Sequence, residues 1–378
     1  MYLLEHDAKK LLASHGVAVP LGQLLTDAGQ ITNLPPGPWI VKGQITAGGR
    51  GKAGLIQKAE TVGEVSTKTA AMLGKQAKGR TVRAVRVEQQ VRGASEAYIS
   101  MMLDPATAGV HIIMAAQGGM EIETLPREAL RTVTAAPDVL ALAATAKKLA
   151  ATFDGATGKA LTEAGRAMAT TFMAAEALLI EINPLFVYPD GRWIAGDAKF
   201  ITDDSALPRQ PEQHALLAEQ SGPYLETALK DTHGCDYVVV DPLGDIALLT
   251  TGAGLSMMLI DELRGAGMKP YNFLDIRTGG LRGETKRLIS VLQWMHHGSN
   301  IKVLLINIFA GITDLGEFSR LLVSALKAVP EFKVPVVARL VGTGMQAAQG
   351  VLAEAGIKLH FDLDIALAEV RSHLRSQP

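Results

Sequence analysis

Apolar positions in the first hundred residues switch between two periods. In "MYLLEHDAKKLLASHGVAVP", Leu3, Leu4, Leu11 and Leu12 recur at helical spacing and Gly16 and Pro20 supply stop signals, so an amphipathic helix is predicted. "WIVKGQI" (Trp39 to Ile45) and "TVRAVRVEQQV" (Thr81 to Val91) show the two-residue alternation of strands. The segment between them, "TVGEVSTKTAAMLGKQA", has helical composition and starts near Thr61.

From about residue 100 the pattern changes. "AYISMML" and "GVHIIMAA" predict strands, and an Ala-rich helical region is expected from Pro137 to Leu179. "LLIEINPLFVYPDGRWIAGDAKF" predicts two strands joined at Pro189-Asp190-Gly191, a strong hairpin signal. The polar stretch "ITDDSALPRQPEQHALLAEQSGPYLE", with three prolines, is the best linker candidate. Beyond it, three segments repeat one rhythm of buried apolar strand, glycine turn and helix. That rhythm predicts a doubly wound parallel sheet. Gly252 to Gly254, Ala310 to Thr313 and Gly342 to Gly344 would then share the rim at the carboxyl ends of the strands.

Composition narrows the class. The chain has 378 residues, 48% hydrophobic but only 5% aromatic, with 38 glycines, which suits an Ala/Val/Leu-rich α/β protein of two or three domains. A net charge of −1 gives no support to a nucleic-acid surface. The single cysteine, Cys235, excludes a disulfide framework and a Cys-based zinc site and fits a reducing compartment. The N-terminal segment does not read as a signal peptide, and no apolar stretch is long enough to span a bilayer, so a cytoplasmic protein is expected.

Candidate chemistry begins with "IVKGQITAGGRGKAG" (Ile40 to Gly54). It matches neither common phosphate fingerprint. Lys42 sits on a predicted strand, Gly48 and Gly49 let backbone amides approach phosphate oxygens, and Arg50 and Lys52 add positive charge. A solvated basic turn fits the same letters. Glu181, Asn183 and Asp197 fall on the two arms of the predicted hairpin, with Glu181 and Asn183 on one face. This donor set suits Mg²⁺, although outward-facing strand residues would look alike. Glu88 and Glu96, eight residues apart in a strand–turn–strand region, read by themselves as solvated carboxylates. None of the nine histidines has metal-ligand spacing, and His296-His297 reads as a helix end.

Taken together, "VKGQITAGGRGKAG", "EINPL", "NIFAGI" and "GAGLSMMLIDELRGAGMKPYNFLDI" resemble, in order and over essentially the full chain, the β subunits of succinyl-CoA synthetase and malate–CoA ligase. The resemblance implies an ATP-grasp domain over residues 1–228, with a subdomain inserted at about 21–95, and a flavodoxin-like CoA-ligase domain over 229–378. It implies that Lys42 and Gly49-Arg50-Gly51 contact the triphosphate, that Glu88 lies at the adenine–ribose hinge and that Glu96 lies at the ribose. Asn183 and Asp197 would hold Mg²⁺, and Glu181 would steady the phosphohistidine loop. ATP against GTP stays open. The nucleophilic histidine and most of the CoA site would belong to a partner α subunit.

Four departures from the family pattern stand out. Thr251 precedes Gly252-Ala253-Gly254 where the family usually has Asn. Asp275-Ile276-Arg277-Thr278-Gly279 replaces Asp-Val-Gly-Gly-Gly. Thr313-Asp314-Leu315-Gly316 follows "NIFAGI" in place of an Arg-Cys-Asp run, and Thr46 stands where a histidine is usual. Three of these lie on the rim, where Thr251, Arg277, Gly311, Ile312 and Thr313 are the candidate substrate contacts. The acid expected is therefore not succinate but another dicarboxylate, a hydroxyacid or a sulfonated acid, with Arg277 pairing a second acidic group. Drift in a loop packed on the partner would leave the same letters. A stand-alone ATP-grasp ligase and a non-catalytic nucleotide-binding subunit are the competing functions.

Overall fold

In the computed structural model, which describes residues 1–29, 31–219, 222–277 and 285–376, the chain divides into two units, Met1–Tyr224 and Leu225–Pro378. The first unit starts with α1 (Glu5–Ser14), where the leucine periodicity predicts a helix. Its buried side carries Ala8, Leu11 and Leu12 but also Glu5, Asp7 and Lys9. Strands β1 (Gly22–Leu25), β2 (Trp39–Gln44) and β3 (Ile56–Ala59) follow. Helix α2 (Val62–Met72) is N-capped by Thr61, whose hydroxyl accepts from the Glu64 amide at 3.2 Å. Next come β4 (Gln76–Ala77) and β5 (Arg80–Thr81), a hairpin turning at Lys78-Gly79, and then β6 (Ala84–Gln89). The antiparallel sheet β1-β6-β2-β3 packs Val41, Val85 and Val87 with Val65 and Met72 of α2 into one apolar cluster.

Strands β7 (Ser95–Asp104), β8 (Gly109–Ala115) and β9 (Arg131–Ala135) open the second sheet. The Ala-rich region is not one continuous helix. It forms α3 (Val139–Ala150) and α4 (Gly155–Ala174), interrupted at 151–154, where Gly155 takes a φ of +58°. Its last residues already belong to β10 (Ala177–Val187). The hairpin signal gives β10 and β11 (Trp193–Ala195), and β12 (Ala198–Thr202) pairs with the earlier half of β10. The sheet order is β11-β10-β7-β8-β9.

The segment read as a linker is largely helical. A 3-10 turn over Asp204–Arg209 leads to α5 (Pro211–Glu219), with Leu207, Gln213, Leu216 and Leu217 buried. Arg209 pairs with Glu176, and Gln213 donates to the Ala175 carbonyl at 2.7 Å, so the polar residues tie this stretch to the end of α4.

The second unit comprises α6 (Leu225–His233), β13 (Asp236–Val239), β14 (Ile246–Thr250), α7 (Ala253–Gly265), β15 (Asn272–Asp275) and α8 (Lys286–Met295). It continues through β16 (Val303–Ala310), α9 (Leu315–Ala328), β17 (Val336–Gly342), α10 (Met345–Glu354), β18 (Leu359–His360) and α11 (Leu363–Ser376). Strands β14-β16-β17-β18 form a parallel sheet, and β13 pairs with β15 antiparallel. Alternation along the strands sends Leu249, Ile306 and Leu340 into one apolar layer with α8, α9 and α10. Ile246, Leu248 and Leu305 go into the opposite layer with α7 and α11. Both faces are covered, which is why the strands read as unbroken apolar runs.

Candidate functional site

A cleft of about 940 Å³ lies within the first unit, lined by the glycine loop, β2, the 88–91 hinge, the 119–123 segment and the β10–β12 arms. Lys42, Arg50, Glu88, Glu96, Glu181, Asn183 and Asp197 all line it, so the structure gathers the nucleotide-side candidates on one wall system.

Lys42 is buried on β2. Its Nζ lies 2.8 Å from Glu5 Oε1 and 2.6 Å from Glu88 Oε1, and donates to the Gly196 carbonyl at 2.9 Å. Burial works against the cation, but Glu5 and Glu88 outweigh it and hold its pKa above the usual value. Arg50 joins the same network, with Nη2 2.6 Å from Asp197 Oδ1 and Nη1 2.7 Å from Glu5 Oε2. That second contact is poorly aligned: Glu5 Oε2 and Arg50 Nη1 are buried, yet neither makes a hydrogen bond. Burial opposes ionisation of Glu5 too, but Arg50, Lys42 and Lys9 hold its carboxyl well below the usual range.

Glu5 and Lys9 were missed by sequence reasoning. Lys9 is fully buried, 2.6 Å from Glu5 and 2.7 Å from Glu88. The available signal was their i, i+4 placement on the side of α1 that also carries Ala8 and Leu12. Tyr2 was also missed. Its phenol stands beside the glycine loop at Gly48, and burial pushes it up to about 12.

The reading of Glu88 as a solvated carboxylate is corrected by its surroundings. Its oxygens are taken by Lys9, by Lys42 and by Arg86 Nε at 2.7 Å, so it is the hub of a buried charge network. Glu96 is exposed at the start of β7 and lies against Gly119.

The β10 ladder with β7 breaks register between Ile182 and Leu185, where Asn183 and Pro184 sit. A bulge there, at a proline that cannot donate, frees the Asn183 side chain from the strand pattern. Its Oδ1 accepts from the Gly119 amide at 2.7 Å, and its Nδ2 donates to the Met120 carbonyl at 2.8 Å. The predicted apposition to Asp197 is present through the backbone, Asn183 N–H donating to the Asp197 carbonyl at 3.3 Å. Asp197 Oδ1 accepts from Arg50 and from the Ala198 amide at 2.7 Å, while Oδ2 has no partner among the described residues. Glu181 faces Lys199 across the β10–β12 ladder, and burial raises its pKa.

These donors fit a hard divalent cation. Asp197 has an open carboxylate oxygen and Asn183 a carboxamide oxygen. Among the described residues no cluster of three His, Cys, Asp or Glu side chains could hold a metal. Mg²⁺ usually takes only one or two protein ligands alongside phosphates and water, so this pair suffices.

In the second unit the carboxyl ends of β14, β16 and β17 are neighbours. Thr251 Oγ1 donates to the Phe309 carbonyl at 3.4 Å, and Thr343 Oγ1 to the Gly311 carbonyl at 3.4 Å, so Thr251 and Gly311 to Thr313 share one rim. Ile312 there is 98% exposed. Arg277 does not stand free: its Nη2 lies 2.5 Å from Asp236 Oδ2. Asp314 is the N-cap of α9, accepting from the Glu317 amide at 2.8 Å. Thr278 and Gly279 lie outside the described residues.

Comparison with known proteins identifies the two domains. A family described as an ATP-grasp domain matches residues 2–187, and one described as a CoA-ligase matches residues 249–371. The chain is 37% identical over 364 residues to the succinate–CoA ligase [ADP-forming] subunit beta of Chloroflexus aurantiacus, covering 94% of each. It is 31% identical to the subunit beta of the same name from Desulfurococcus amylolyticus, covering 98% of each. Its fold is similar to that of ATP citrate lyase from Methanothrix soehngenii, with a TM-score of 0.65 at 17% identity over 95% of each chain. No helix among the described residues is long and apolar enough to cross a membrane. The chain belongs to the β-subunit family of ADP-forming acid–CoA ligases, with an ATP-grasp domain followed by a CoA-ligase domain.

Proposed function

We propose that this chain binds Mg-ATP in the first-unit cleft and transfers the γ-phosphoryl group to a histidine of a partner α subunit. From there the reaction runs through an acyl phosphate to acyl-CoA, with CoA held mainly by the partner. The observation that carries this reading is the lining of the cleft. It holds Lys42, Arg50, Asn183 and Asp197, but among the described residues no His, Cys, Ser or Thr that would accept a phosphoryl group. A site with phosphate-side cations and none of these four acceptor types suits transfer to a nucleophile from outside the chain. Asn183 and Asp197 would hold Mg²⁺, which would supply positive charge against the phosphates. Lys42 and Arg50 would hold the phosphate chain, with the misaligned Arg50 Nη1 available to a better acceptor than Glu5. Glu181, whose pKa burial raises, would face the incoming histidine loop.

The acid is proposed to be other than succinate, from the substitutions at Thr251, Arg277 and Thr313. A second reading, succinate itself with an altered rim, is favoured by two contacts. Arg277 is held by Asp236, and Asp314 caps α9, so two substituted side chains already have structural partners. Co-expression with the α partner and a screen of carboxylic acids for CoA-dependent ADP release separates the two. Release of AMP and pyrophosphate in place of ADP would overturn the reaction type, and full activity of the isolated chain would favour a stand-alone ligase.

A further inference from the structure

Lys78 sits at the tip of the β4–β5 hairpin, on the wall of the cleft. The turn has two central residues, Lys78 and Gly79, with φ of +51° and +71°. A two-residue turn of this kind favours Asn, Asp or Gly at its first position, because a longer side chain strains the left-handed backbone. This chain places a lysine there. Strain kept at one position is a reason to ask what its side chain does.

The side chain reaches the glycine loop. A Cβ built on Gly49, itself at φ +69°, would lie 2.5 Å from Lys78 Nζ. The neighbouring Lys75 is bonded to this loop, its Nζ donating to the Ala53 carbonyl at 3.1 Å. Lys52 is paired with Glu121 at 2.5 Å. Lys78 makes no hydrogen bond and no direct ion-pair contact among the described residues, and acts on the Glu121 carboxylate only through space. It is a cation delivered over the loop by a strained turn, sharing the field of Glu121 with Lys52, which holds that carboxylate in an ion pair.

Resting on the nucleotide reading of the cleft, we infer that Lys78 is a further phosphate-binding residue, which closes on the polyphosphate chain from the hairpin side. Lys42 and Arg50 hold that chain from within the buried network, and Lys78 supplies the exposed cation above Gly49. Its contribution should depend on the number of phosphates, because it meets the chain and not the base.

The test measures direct binding of ATP and of AMP to the full chain with its partner, by calorimetry, together with the unfolding temperature. Lys78→Asn suits the turn at least as well as lysine, so the variant should unfold at the same temperature or higher. It should bind ATP about tenfold more weakly, with AMP binding unchanged, and Lys78→Arg should restore most of the loss. Unchanged ATP affinity in Lys78→Asn would overturn the role of Lys78 while leaving the nucleotide reading intact. An equal loss for ATP and AMP with a lower unfolding temperature would reduce Lys78 to a structural residue. A wild-type chain that binds neither nucleotide would overturn both readings.

Discussion

The Asn183 carboxamide is clasped to the backbone of Gly119, its Oδ1 accepting the amide hydrogen at 2.7 Å. The oxygen proposed to meet a metal is therefore the one that pins the 119–123 wall of the cleft. Metal binding and release of that wall should be linked. Asn183→Ala is expected to raise the Mg²⁺ concentration for half-maximal nucleotide binding about tenfold, in line with losing one of two protein ligands. It should also speed amide exchange at Gly119. A calorimetric Mg²⁺ titration with hydrogen exchange checks both, and an unchanged Mg²⁺ requirement would remove Asn183 from the site.

A pH dependence follows from His6. Its Nδ1 lies 2.9 Å from Arg86 Nη1, a donor, so the ring nitrogen accepts and the imidazole is neutral. Burial, followed by Arg86 and Lys10, pulls its pKa from 6.5 to about 4. The folded pKa lies below the unfolded one, so between these values the unfolded chain binds a proton that the folded chain refuses. Stability contributed by the neutral ring is thus present above pH 6.5 and lost as pH falls toward 4, by roughly 2–3 kcal/mol. His6→Gln should flatten the fall in unfolding temperature across that window. An identical pH slope in wild type and variant would contradict the assignment.

How much of this was legible in the sequence depends on the range of the interaction. The helix α1, the helix start near Thr61 and the Pro189–Gly191 hairpin come from local periodicity, composition and turn chemistry, and all are present. The apolar strands of the parallel sheet were equally plain, because both faces are buried. The Pro137–Leu179 region was overextended because its composition stays Ala-rich across 151–154, while the break is made at Asp154-Gly155. Residues 201–226 looked like a linker because their polar partners, Glu176 and the Ala175 carbonyl, are distant in sequence. The cleft was half visible: Lys42, Asn183 and Asp197 carry motif letters, whereas Glu5 and Lys9 are charges on a helix face that composition assigns to solvent.

At the rim, Asp314 accounts for its own position by capping. Gly344, at φ +83°, leaves room for it, since a Cβ there would lie 2.7 Å from Asp314 Oδ2. Asp314→Ala is expected to lower stability by about 1 kcal/mol, and Asp314→Asn by less, because both Asp and Asn cap well. Neither change should alter which acid is used. Denaturant unfolding and the acid screen together check this, and a changed acid preference in Asp314→Asn would make the carboxylate a substrate contact instead.

The central claim is transfer of phosphate from this chain's cleft to a histidine elsewhere. Incubation of the αβ complex with γ-labelled ATP and Mg²⁺, followed by separation of the subunits, tests it most directly. The account predicts acid-labile, base-stable label on a histidine of the α subunit, none on this chain, and none on either in Asp197→Ala. Label on this chain, or unchanged labelling of the α subunit in Asp197→Ala, would contradict it.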